Sequence, residues 1–191
     1  MKKLLWILIV LISVITFTGC QGNNTKLVYE PLSDDEAYLF LLTGNTIRMH
    51  ELKNLPSDKE FEISLTFEQY EGKEKVKEDI FYGIRDDEIG KKEEDRLLSL
   101  NYQDNKIRLL SNGTSSSYDV EEDLREYSRA MLSKDVNLEL GKSYYMYYAS
   151  THNEFNGSGS VVGTPVTKDL TNKLLKDDAS TIFVKLSFNE L

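Results

Sequence analysis

The chain has 191 residues, a formal charge of −9, 40% hydrophobic and 10% aromatic content, one cysteine and one tryptophan. Those figures exclude wholesale disorder, a disulfide scaffold, a cysteine-ligated zinc protein and a basic nucleic-acid binder. A length of this order suits one domain with a true hydrophobic core.

The first element is a leader. Lys2 and Lys3 precede an apolar run from Leu4 to Ile15, interrupted only by Ser13, and small residues surround Cys20. From Leu4 to Thr18 an α-helix would measure roughly 22 Å, short of a hydrocarbon core of about 30 Å. Positive start, short apolar centre and small-residue end make a secretory signal. Phe17-Thr18-Gly19-Cys20 resembles the lipobox of bacterial lipoproteins, with Phe17 where that motif usually carries an aliphatic residue. The resemblance implies a signal peptide over residues 1–19 and a thioether-linked diacylglycerol on Cys20, with palmitate-type chains. Residues 20–25 then form the lipidated tether, and the membrane is a partner through the lipid on Cys20. Two acyl chains suffice for stable anchoring where one is marginal. Without Lys2 and Lys3, 21 basic face 32 acidic side chains, a balance of −11. Seventeen lysines against six arginines and only four alanines suggest AT-rich coding, hence a low-GC Gram-positive source.

Residues 26–191 read as one domain, mostly of period two between turn signals. Ala37–Leu42 and Ile47–Leu52 flank Thr43-Gly44-Asn45-Thr46 and predict a hairpin. In Glu60–Glu68, Phe61, Ile63, Leu65 and Phe67 face one way and Glu62, Ser64, Thr66 and Glu68 the other, as in a half-buried antiparallel strand. Glu71-Gly72-Lys73 turns the chain into Val76–Ile84, its predicted partner. Leu97–Tyr102 and Lys106–Leu110 form a second hairpin around Gln103-Asp104-Asn105. Asp119 to Glu122 has capping-box spacing, and Val120, Leu124, Tyr127 and Met131 follow at helical intervals, predicting a helix. Ser111–Ser117 and Thr151–Ser160 are expected loops. Thr167–Asp177 predicts a shorter helix, and Ile182–Phe188 a final strand.

The expected fold is mainly β: a single antiparallel Greek-key β-sandwich, immunoglobulin-like or of jelly-roll type, with one or two short helices. A small barrel fits the same strand count. Leu138-Glu139-Leu140-Gly141-Lys142-Ser143-Tyr144 resembles the corner motif of fibronectin type III and related immunoglobulin-like sandwiches, with Leu140 in place of the proline. That resemblance implies a tyrosine hydroxyl bonding back across the corner between two sheets.

Signals for chemistry are sparse. Gly141-Lys142-Ser143 matches only the tail of a phosphate-binding loop, because Val136 stands where its first glycine belongs. His50 and His152 are the only histidines, too few for a structural zinc site; His50 reads as a strand residue, His152 as the better functional candidate. No serine-nucleophile motif occurs, and the body lacks a thiol. The acidic clusters read as caps and turns. Tyr144-Tyr145-Met146-Tyr147-Tyr148 is the most unusual segment. On a regular strand Tyr145 and Tyr147 share one face, so Tyr145, Tyr147 and His152 form the candidate contact surface.

These observations predict a non-enzymatic binding or accessory lipoprotein on the extracytoplasmic face of the membrane, with no cofactor and no nucleic-acid partner. Its acidity disfavours anionic polymers and points to an envelope protein or a neutral glycan. The alternatives are a carboxylate-dependent wall hydrolase and a protective inhibitor or exclusion lipoprotein.

Overall fold

The period-two segments pair into two antiparallel sheets, so the protein is mainly β, with two short helices among the described residues. The computed structural model describes residues 24–87, 90, 95–103, 105–152 and 161–191. The leader, Cys20, most of the tether, Asp104, and residues 153–160 of the expected Thr151–Ser160 loop lie outside the described residues.

One sheet has six strands: β1 (Lys26–Glu30), β2 (Thr46–Lys53), β5 (Arg96–Gln103), β6 (Lys106–Ser111), β7 (Thr114–Asp119) and β9 (Val136–Asn137), in spatial order β7-β6-β5-β2-β1-β9. The other has five: β3 (Phe61–Glu71), β4 (Glu74–Asp86), β8 (Ser128–Met131), β10 (Lys142–Ser150) and β11 (Ser180–Glu190), in order β4-β3-β11-β10-β8. Inward residues of the two sheets meet face to face. Tyr102 of β5 stacks on Tyr147 of β10 with centroids 4.4 Å apart, and Tyr118 of β7 stacks on Phe67 of β3 at 4.3 Å. Leu27, Leu52, Leu98 and Leu100 complete one inner face; Phe61, Ile63, Leu65, Val184, Leu186 and Phe188 complete the other.

Several connections follow the sequence directly. Gly72 and Lys73 join β3 to β4, with Gly72 in the left-handed region. Tyr144 stands near the start of β10, and its hydroxyl accepts the Glu139 backbone N–H at 2.9 Å. Gly163 has φ +76°, and a Cβ there would lie 2.7 Å from Leu132 and 2.8 Å from Val136. Only glycine lets the chain approach the core at that point.

Four expectations are corrected. Ala37–Leu42 is not a strand: Asp34–Leu42 forms helix α1. Ser33 caps it, accepting from the Glu36 N–H, while the Glu36 carboxylate accepts from the Ser33 N–H at 2.9 Å. Asp119–Met131 is not a helix. Asp123 caps one 3-10 turn, Leu124–Glu126, before the chain extends as β8 to pair with β10. Hydrogen bonds to β10 outweigh a helical spacing that the turn also satisfies. Ser111–Ser117 is not a loop: Asn112 and Gly113, both at positive φ, make a two-residue turn between β6 and β7. The polar side of β3 is also not solvated, since Ser64, Thr66 and Glu68 are buried.

That last difference places the second helix. Residues after Val161 run beside the first half of β10, with the Val166 N–H bonding to Ser143 and Tyr144 bridging to Pro165. Helix α2 (Lys168–Leu174) follows, and Thr171 on it meets the outer-face Tyr145 of the five-stranded sheet.

Candidate functional site

A β-bulge decides the fate of the tyrosine segment. The register between β10 and β11 shifts between Tyr145 and Tyr147, which sends the two to opposite sides of the sheet. Their expected common face is therefore corrected. Tyr147 lies between the sheets against Tyr102, and its hydroxyl makes no hydrogen bond of standard geometry beside Arg129. Tyr145 lies on the outer side, stacked on Phe183 at 4.3 Å, with its hydroxyl 2.7 Å from Thr171 Oγ1. Both rings are fully buried. Burial pushes the Tyr145 phenol up to about 12, partly offset by its bond to Thr171. His152 stands apart at the end of β10. Its N–H donates to Ser150 Oγ at 3.2 Å, and its Nδ1 is 4.0 Å from the exposed Asp178 carboxylate. The three candidate residues do not converge.

Tyr145 does form the floor of a cleft of about 340 Å³ between α2 and the outer face of the sheet. Its polar centre is Glu68 of β3, whose side chain is 3% exposed. Glu68 Oε1 accepts from Lys75 Nζ of β4 at 3.0 Å and, more closely, from Lys185 Nζ of β11. The Tyr70 hydroxyl donates to the other oxygen at 3.4 Å. A buried carboxylate is stable only when paired in this way. Lys75 also holds Glu78 at 3.0 Å, and Lys185 lies 3.8 Å from Glu78. Burial disfavours the charged Lys75, but its hydrogen bonds to Glu78 and Glu68 prevail and raise its pKa. The bond from Lys75 in turn holds the Glu78 carboxyl below the usual carboxylate value. Lys73 and Lys168 stand at the rim.

Helix α1 is the other conspicuous surface. Tyr38, Leu39, Leu41 and Leu42 are 62%, 62%, 72% and 65% exposed, and none of the helix's residues is buried. Apolar residues on all sides of a helix normally mean that it is covered. The strand register sets α1 at the ends of β1 and β2 remote from Lys26. At the Lys26 end, Asn24, Thr25, Leu55, Pro56, Leu138 and Leu140 help line an open groove of about 840 Å³.

Neither surface was singled out by motif. The helix had a readable signal, Ser33-x-x-Glu36; the lysines, drawn from three strands or turns and a helix, had none. Among the described residues, no group of three His, Cys, Asp or Glu side chains is placed to hold a metal, and no helix is long and apolar enough to cross a membrane. No protein-family model matches the chain, and neither a curated protein nor a solved structure matches it significantly.

Proposed function

We propose that the protein is a lipid-anchored extracytoplasmic binding module, non-enzymatic, held by Cys20 at the membrane and presenting α1 to a partner protein. The exposure of Tyr38, Leu39, Leu41 and Leu42 on one nine-residue helix carries this reading. An apolar helix suits a protein groove better than a neutral glycan, whose surface offers mainly hydroxyls. Asp34, Asp35 and Glu36 crowd the first turn, so the complementary groove is apolar along its length and basic where it receives that turn. Its position supports the same reading: β1 rises about 17 Å away from the tether, so α1 stands at the end of the domain remote from the lipid.

A wall-hydrolase role would require a carboxylic acid kept protonated near neutral pH. Glu78, the exposed carboxylate of the cleft network, is instead stabilised as an anion by Lys75.

Two measurements test the proposal. Growth with an alkyne-bearing palmitate analogue is expected to label the full-length protein, and Cys20→Ser to abolish labelling. Cross-linking in intact envelopes is expected to give one saturable protein adduct, lost in Leu39→Glu/Leu41→Glu while the variant stays folded by circular dichroism. An unlabelled wild-type protein rejects the anchor. An undiminished adduct in the double variant rejects α1 as the contact.

A further inference from the structure

The cleft beneath α2 has a charge unlike that of the rest of the molecule. In a chain of net charge −9, its lining side chains comprise four lysines, Lys73, Lys75, Lys168 and Lys185, against one carboxylate, Glu68. The two inner ammonium groups share a single oxygen of Glu68. One monovalent carboxylate cannot balance two cations, and the lysine side chains there are only 32% and 18% exposed. Glu78 supplies the rest from the edge, half-exposed and 3.8 Å from Lys185. At the rim, Lys73 pairs with an Asp177 carboxylate that is 82% exposed, a contact that water readily replaces. Lys168 has no ion-pair partner among the described residues.

We propose that this cleft binds a phosphate-bearing ligand, with Lys168 and Lys73 engaging the phosphate oxygens and Lys75 and Lys185 supplying positive potential from the floor. Each ammonium offers three N–H donors, and the two glutamates occupy only part of that supply. A phosphate carries up to two negative charges and several acceptor oxygens, so it satisfies more of these donors than a carboxylate does. The cleft, at about 340 Å³, holds a phosphate and a small organic substituent. Tyr70 and Val166 add apolar wall for that substituent. The inference is independent of the α1 surface and goes beyond the tethered-binder reading.

The test is calorimetric titration of the detergent-solubilised full-length chain at low ionic strength with inorganic phosphate, glycerol 3-phosphate and, at matched ionic strength, acetate. Saturable phosphate binding with a dissociation constant on the order of 1 mM is expected, with glycerol 3-phosphate at least equal and acetate weaker. Lys73→Glu/Lys168→Glu, altering rim residues outside the Glu68 network, is expected to weaken phosphate binding at least about fivefold. Lys168→Ala serves as the milder second variant, with a smaller loss in the same direction. Leu110→Thr, on the exposed side of β6 in the other sheet, should bind phosphate as the wild type does. Equal binding of acetate and phosphate, no saturable binding, or rim variants that bind normally would each overturn the proposal without touching the lipid anchor or α1.

Discussion

His50 shows what a single buried side chain can impose. It sits on the inner face of β2, fully buried, 5.4 Å from the Tyr29 ring, and neither ring nitrogen reaches a hydrogen-bond partner among the described residues. Burial, and after it the Arg48 charge, lower its pKa from 6.5 to about 4, with Asp135 acting the other way. The unfolded chain thus takes up this proton more readily than the folded one, so stability must fall as pH drops. The contribution is complete above pH 6.5 and is lost progressively towards pH 4, amounting to about 3 kcal/mol at most. His50→Phe keeps a ring of similar breadth without the titration. Urea denaturation at pH 7 and pH 4.5 is expected to show a smaller acid loss for the variant. The same acid loss in both proteins would exclude His50 as the source. Nothing in the local sequence identified this residue as buried on the core face, because Arg48 and His50 interrupt the apolar alternation that Leu52 resumes.

Among the elements, α1 has few connections to the rest. Its capping box joins Ser33 and Glu36, and hydrogen bonding to Ser33 lowers the Glu36 pKa. Ser33→Ala removes a cap worth about 1 kcal/mol. Because no α1 residue is buried, that loss should remain local. Hydrogen exchange at Ala37–Leu41 is expected to accelerate about fivefold with little change in thermal midpoint; a matching global destabilisation would contradict the helix's isolation. The same element marks the limit of reading by pattern. Six apolar residues in succession carry no period, so the turn signal at Thr43-Gly44-Asn45 suggested a hairpin although the cap lay in view. Strands with strict alternation, such as Phe61–Phe67 and Ile182–Phe188, were legible because their apolar side chains at every second position turn to the core between the sheets. The bulge in β10 was not legible. It depends on how β11 and β8 grip opposite edges of that strand, a tertiary circumstance absent from five consecutive residues. The lysine cleft escaped notice for a related reason: its members come from separated segments and meet only after folding.

At the scale of the whole molecule, two sheets meet through their aromatic residues and leave different chemistry outside. The outer face of the five-stranded sheet carries a buried ionic network under α2, while α1 extends from the opposite sheet. Acidic residues dominate the overall balance, yet this cleft gathers four of the lysines. The described residues contain no tryptophan, since Trp6 lies outside them. The near-ultraviolet optical activity of this part of the chain comes chiefly from tyrosine and phenylalanine. Tyr102 and Tyr147 lie parallel within 13° at 4.4 Å, one from each sheet, so their transitions couple across the interface. That pair makes the domain its own gauge of sheet separation. On acidification the near-ultraviolet dichroism should fade before the far-ultraviolet strand signal, as the sheets part while their ladders persist. Tyr102→Leu should remove much of the near-ultraviolet band, whereas an unchanged spectrum would place its origin elsewhere. A domain built on tyrosine and phenylalanine thereby carries an optical reporter in its core, sensitive to the distance between its two sheets.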